Sequence, residues 1–284
     1  MPLTSTAHLI EQARASRSGL GSFNVICIEH AEAIAEGAER AERPALLQIS
    51  ENAVRYHGKL GPIAAASAAI ARASTAPLGL HLDHVTDEAL LHQAADHGFT
   101  SVMFDASRMD YEQNVAATRA AAEWAHRHEL WFEAELGEVG GKDGAHAPGV
   151  RTDPDEAARF VAVTGADGLA VAVGSSHAMV RREAALDVML IARLAEMVPV
   201  PLVLHGSSGV PEEQLRAAVA AGIVKVNIGT ALNVAFTDAV RGSVADADMV
   251  DPRKYLSRAR SAMVDSVQQM LELLGSHEGT ARAR

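Results

Sequence analysis

One cysteine in 284 residues, and aromatic side chains at only 4%, exclude several designs at once. A lone thiol, Cys27, can neither close an intrachain disulfide nor build a cysteine-rich zinc cluster. It sits in the run SFNVICI and reads as a buried structural thiol. Positive charge is also scarce: 25 Lys and Arg against 36 Asp and Glu give a formal charge of -11. Non-specific nucleic-acid binding relies on clustered cations and is not expected. No apolar run approaches the roughly 18 residues a membrane span needs, and the first segment, MPLTSTAHLIEQARASRSG, has helical spacing without an apolar signal core. The expectation is a soluble, cytoplasmic protein. A glycine fingerprint GxGxxG is missing as well, which counts against a dinucleotide-binding doubly wound sheet.

What the chain does have is short apolar runs in series. They are GSFNVI (21–26), PALLQIS (44–50), PLGLHLD (77–83), TSVMFDA (100–106), LWFEAEL (130–136), DGLAVAVG (167–174), PLVLHG (201–206) and IVKVNIG (223–229). Amphipathic stretches such as EHAEAIAEGAERAE and YEQNVAATRAAAEWAHRH lie between them. Near-continuous apolar strands alternating with helices indicate a parallel sheet covered on both faces. Eight such units predict an α/β fold, a (β/α)8 TIM barrel, with a doubly wound open sheet as the alternative. Residues 231–275 read as a helical C-terminal extension broken near DPRKY, and SHEGTARAR as a frayed tail from about 275. The whole chain, 1–284, reads as one barrel domain.

Polar residues concentrate at the strand ends. Asn24, Ser50, Asp83, His84, Asp105, Glu135, Ser175 to His177, His205 and Asn227 all fall at or just past the C-terminal end of a predicted strand. Barrel active sites are built at that face. His84, His177 and His205 come from three different strands, and three histidines with one open position suit a catalytic zinc ion. Asp105 and Glu135 offer a competing oxygen set better suited to Mg or Mn, or they orient the imidazoles from behind. His81 shares the strand parity of Asp83 and is expected one layer deeper. The Gly-bearing turns HGSSGV (205–210) and KVNIGTA (225–231) follow strands seven and eight, where barrels commonly bind phosphate. Ordinary βα turns also favour Gly and Ser.

With these residues assembled, the chain resembles the class II, zinc-dependent ketose-bisphosphate aldolases. The resemblance runs through FNV, QIS, HLDH, VMFDAS, EAELGEVGG, HGSSGV, KVNIGT and DPRKY, and is strongest to the branch holding tagatose-bisphosphate and many bacterial fructose-bisphosphate aldolases. It implies Asp83 as catalytic acid/base and His84, His177 and His205 as ligands of one zinc ion per subunit. It puts Glu135 near the metal and Asp105 in the matching fourth-strand motif. Gly206, Ser207, Ser208, Asn227 and Thr230 would hold the dihydroxyacetone-phosphate half, with a monovalent cation beside these turns, and Asn24 and Ser50 would contact substrate. Arg253 matches an arginine that binds the distal phosphate, in some members from a neighbouring subunit, and a homodimer or homotetramer is implied.

Three positions depart from the pattern. Ala178 follows His177 where the family has glycine, Asp143 stands in a shortened loop where the family has glutamate, and Gly229 replaces an aspartate common in fructose-type members. The implied reaction is reversible cleavage of a ketose 1,6-bisphosphate, fructose or tagatose, to dihydroxyacetone phosphate and glyceraldehyde 3-phosphate. Four alternatives stay open: an aldolase for another phosphorylated keto-sugar such as a deoxy-keto-gluconate phosphate, a metal-dependent isomerase or epimerase, a covalent aldolase on Lys225, and a non-catalytic sugar-phosphate-binding subunit.

Overall fold

The structure, a computed structural model, describes residues 3–137, 150–176 and 183–275. Its eight strands close into a parallel barrel in chain order: β1 Leu20–Asn24, β2 Ala45–Ser50, β3 Leu78–Val85, β4 Ser101–Phe104, β5 Trp131–Glu135, β6 Gly168–Ala170, β7 Leu202–Leu204 and β8 Ile223–Ile228. The helices are α1 Thr6–Ala15, α2 Ile28–Ala41, α3 Glu51–His57, α4 Leu60–Ala73, α5 Glu88–Gln93, α6 Tyr111–Arg127, α7 Pro154–Thr164, α8 Val188–Met197, α9 Glu212–Ala221, α10 Thr230–Val244 and α11 Pro252–Gly275. The TIM barrel is therefore as the alternation predicts, and the C-terminal extension is the pair α10 and α11, interrupted at 245–251.

Local chemistry fixes where many helices start. The carboxylates of Asp87, Asp110, Asp153 and Asp187 accept backbone N–H groups of α5, α6, α7 and α8, and the Ser50 hydroxyl does the same for α3. Each such cap is worth about 1 kcal/mol. The sixth apolar run predicts a strand over 167–174, yet β6 stops at Ala170. The reason is a competing partner: the N–H and C=O of Ala172 bond to Thr152 Oγ1 (2.8 Å) and Thr152 N (2.9 Å), not to a neighbouring strand. Cys27 also lies outside its predicted strand, half-buried at the N-cap of α2 with Sγ 3.1 Å from His30 Nδ1. Burial, and after it the neighbouring Glu29, push this thiol up to about 12, so it stays protonated and unreactive.

Two apolar cores divide the molecule. The larger fills the space between barrel and helices. The smaller lies inside the barrel at its N-terminal end, where Leu9, Ile10 and Ala13 of α1 plug the opening against Leu20, Leu46, Met103, Trp131 and Val203. Above that plug the interior turns polar: Ser22, Gln48, His81, Ser101, Glu133 and Lys225 are all essentially inaccessible. Branched aliphatic residues dominate such layers in most barrels. Most of their polar atoms are paired with one another, as buried polar groups require, though His81 Nε2 has no hydrogen-bond partner among the described residues, and they lead directly to the mouth.

Candidate active site

Neighbours on a strand point to opposite faces, so Asp83 and His84 should not both reach one site. They do because β3 is irregular. Its register on β4 shifts between Leu82 and Val85, and His84 adopts a left-handed backbone with φ +49°. A non-glycine residue there costs on the order of 1 kcal/mol and is held only by surrounding contacts. The outcome is that ligand atoms of Asp83, His84 and His205 lie within 4.8 Å of one another.

The contacts that hold the two imidazoles explain how. His84 Nδ1 is 3.1 Å from Asp105 Oδ2, and His205 Nε2 is 2.8 Å from Glu133 Oε1. An ionised carboxylate only accepts, so both of those ring nitrogens carry the hydrogen. The remaining nitrogens, His84 Nε2 and His205 Nδ1, face each other at 3.0 Å. Two neutral rings with their lone pairs set this way repel unless a cation, a proton or a metal ion, sits between them. Zinc–nitrogen bonds of about 2.0–2.1 Å in a tetrahedron put ligand nitrogens roughly 3.3 Å apart, close to the spacing here. Carboxylates behind metal-binding imidazoles are the usual way of fixing ring tautomer and direction. The donor set therefore fits a zinc ion.

Below the imidazoles the buried polar side chains form hydrogen-bonded groups. Lys225 Nζ donates to Glu133 Oε2 (2.8 Å) and Asn227 Oδ1 (2.7 Å), and Asn227 Nδ2 lies 3.4 Å from Asp83 Oδ1. On the other side Ser22 Oγ donates to Gln48 Oε1 and Gln48 Nε2 to Asn24 Oδ1. His81 is fully buried one layer below Asp83, its Nδ1 2.8 Å from Ser101 Oγ. Burial, then the charge of Lys225, hold its pKa well below the usual histidine value, so it is neutral.

The mouth opens into a cavity of about 440 Å³ lined on one side by Ser176, Gly206, Ser207, Ser208, Gly229 and Thr230 and on the other by Ser50, Asn52, Arg55, Thr86, Asp105 and Arg108. The first wall belongs to the turns after β6, β7 and β8. Gly206 has φ +66°, and a Cβ there would come within 2.5 Å of the Ser176 carbonyl, so only glycine lets the two turns meet. Ser207 Oγ donates to the Asn227 carbonyl (2.5 Å), and Ser208 Oγ accepts from Ala231 N–H (3.1 Å) at the start of α10. The opposite wall is braced by Glu51, whose carboxylate accepts from Thr86 N–H (2.6 Å) and hydroxyl and pairs with Arg55. Asn24 packs beside Gly229 and lines the cavity with Asn227.

Most residues singled out by sequence thus converge. Asn24, Ser50, Asp83, His84, Asp105, Gly206, Ser207, Ser208, Asn227, Gly229 and Thr230 line the cavity, with His205 buried beneath them. Glu135 is buried beside His84, its Oε2 3.9 Å from Nδ1, while Asp105 makes the shorter contact. His177, Ala178 and Asp143 lie outside the described residues. Arg253 stands at the start of α11, exposed and paired with Asp251 (2.8 Å), and does not line the cavity of its own chain. Glu133 is the main residue the sequence reading misses. Its signal is an acid sharing parity with Glu135 inside the otherwise apolar strand WFEAE.

This geometry agrees with what the chain matches. The model of the family described as fructose-bisphosphate aldolase class-II matches residues 4–279. The chain is 36% identical to the fructose-bisphosphate aldolase of Thermus caldophilus, covering 96% of this chain and 98% of that one. It is 35% identical to the 6-phospho-5-dehydro-2-deoxy-D-gluconate aldolase of Bacillus subtilis strain 168, covering 97% of each. The crystal structure of the YdjI aldolase from Escherichia coli K12 superposes with a TM-score of 0.86 at 30% identity, covering 97% of this chain and 98% of that one. The chain belongs to the class II fructose-bisphosphate aldolase family, and it is an aldolase, a lyase by reaction class. Among the described residues no helix is long and apolar enough to cross a membrane.

Proposed function

We propose that the protein cleaves and re-forms the C3–C4 bond of a phosphorylated ketose, releasing dihydroxyacetone phosphate, with zinc held by His84, His205 and His177. The observation that carries this reading is the pair of imidazole nitrogens 3.0 Å apart, each ring backed by a carboxylate, with Asp83 alongside. When bound, zinc supplies Lewis acidity at the substrate ketone.

The chain's own residues do the rest. Asp83 takes the proton from the C4 hydroxyl during cleavage, the hydroxyl becomes the aldehyde carbonyl, and the C3–C4 electron pair stays on the triose half. Asp143 is the residue of choice to deliver a proton to C3. In condensation both transfers reverse. General-base help of this kind is worth about 10²–10⁴-fold. Backbone N–H groups at Gly206 to Ser208, and at Gly229 and Thr230 where α10 begins, favour the dianionic phosphate of the triose half, and the family resemblance assigns Ala178 to the same phosphate-binding set. A monovalent cation beside these turns would add to the attraction.

The aldehyde half faces the opposite wall. In the closed strand order, β2 to β4 lie across the barrel from β6 to β8. Ser50, Asn52, Arg55 and Arg108 line that side, so a second anionic group is favoured there. Arg253, exposed on its own chain, is suited to reach the cavity of a neighbour in a homodimer or homotetramer. A ketose bisphosphate presents a phosphate to that wall. A 6-phospho-5-keto-2-deoxy sugar acid also breaks between C3 and C4 but presents a carboxylate, and the Bacillus subtilis relative keeps that second substrate class in view.

The test compares triose-phosphate release from fructose 1,6-bisphosphate, tagatose 1,6-bisphosphate and the deoxy-keto-gluconate phosphate. Release from at least one is expected, and the ratio of kcat/KM values names the aldehyde half. No release from any of the three contradicts the reading.

A further inference from the structure

Lys225 has no solvent exposure and does not line the cavity, yet it sits at the junction of everything the site depends on. We infer that Lys225 is a positioning residue that sets the metal side and the base side of the site together, through Glu133 and Asn227. The inference rests on the zinc and Asp83 roles proposed above.

The metal side runs through Glu133. Lys225 extends from β8 across the barrel interior to β5, which is not its neighbour in the strand order, and its ammonium holds Glu133 Oε2 at 2.8 Å. The other oxygen, Oε1, accepts Nε2–H of His205 at 2.8 Å. That hydrogen bond fixes a hydrogen on Nε2 of His205 and directs its Nδ1 at His84 Nε2.

The base side runs through Asn227, two residues along the same strand face. An ammonium only donates, so Asn227 must turn its oxygen to Lys225, at 2.7 Å. Its amino group is thereby turned away from the ammonium and toward Asp83 Oδ1, at 3.4 Å. Were the amide flipped, Asp83 would face a second oxygen. One buried cation thus specifies a ring tautomer and an amide orientation that otherwise have no common cause. The same contacts remove Lys225 from the covalent route, because its nitrogen is committed to two acceptors below the cavity floor.

The experiment uses full-length protein carrying Lys225→Met, Glu133→Gln, or both. The double variant leaves no unpaired charge in the barrel and keeps the test available where Lys225→Met alone fails to fold. Four readouts are taken: zinc affinity by chelator competition, the visible absorption of the cobalt-substituted protein, steady-state kcat and KM, and thermal melting of the metal-free form. Weakened zinc binding, by about 10–100-fold, is expected, with a shifted cobalt spectrum and kcat reduced more than KM is changed. Variants with wild-type zinc affinity and an unaltered cobalt spectrum would overturn the inference, whatever their melting temperature. Wild-type protein that takes up no zinc at all would instead overturn the zinc reading on which it rests.

Discussion

His84 Nε2 and His205 Nδ1 face each other at 3.0 Å, their rings close to perpendicular at 83°, although the residues are 121 positions apart in the chain. Asp105 and Glu133 take the hydrogens of the outer ring nitrogens, which turns the inner nitrogens toward each other. That relationship separates two kinds of residue at the mouth: those that complete a cation site, and Asp83, which stands next to it.

The separation predicts different phenotypes for adjacent residues. His205→Ala should lose zinc, and activity with it. Asp83→Ala should keep zinc and lose kcat by about 10²–10⁴-fold. Zinc content by elemental analysis, beside steady-state rates, checks both. An Asp83→Ala protein without zinc would make Asp83 a ligand and not the base.

Two glycine substitutions separate backbone strain from collision. Gly165, at the end of α7, has φ +74°, and a methyl group added there would meet nothing within 4 Å. Gly206 has φ +66°, and a methyl there would strike the backbone of Ser176. Gly165→Ala should cost only the left-handed conformation, about 1 kcal/mol. Gly206→Ala should melt several degrees lower still, and raise KM for a phosphorylated substrate more than tenfold. Equal melting temperatures for the two variants would mean that the turns after β6 and β7 separate at no cost.

Buried histidine gives the fold a pH dependence. His30 is almost inaccessible, stacked on Phe236, and burial lowers its pKa from the ordinary value of 6.5. The native protein therefore binds this proton less readily than the unfolded chain does. Its contribution to stability is present above about pH 6.5 and is lost as pH falls below it, by at most about 1.4 kcal/mol per pH unit. His30→Gln should flatten that part of the slope in metal-free protein, measured by denaturant unfolding between pH 8 and 5. An unchanged slope would place the proton uptake elsewhere.

The barrel was legible because parallel strands covered on both faces are near-continuous apolar runs, and polar residues ending such runs stand out. That logic finds Asp83, His84, Asp105 and His205. It does not say how neighbours 83 and 84 share a face, because the register shift of β3 on β4 and the φ of +49° at His84 leave no mark in the residue pattern. It passes over Glu133, and weighs Lys225 only as a covalent nucleophile, for a related reason. Both lie within strands, and what explains a charge there is its partner on a distant strand, 92 residues away in this case. Arg55 and Arg108 sit on a short helix and a turn without periodic pattern, so only the closed barrel identifies them as cavity residues.

The zinc aldolase reading stands or falls on triose-phosphate release from a ketose bisphosphate by zinc-loaded protein, repeated after chelation and again after zinc is restored. Cleavage should disappear with the chelator and return with stoichiometric zinc. Cleavage at full rate by metal-free protein would contradict that reading.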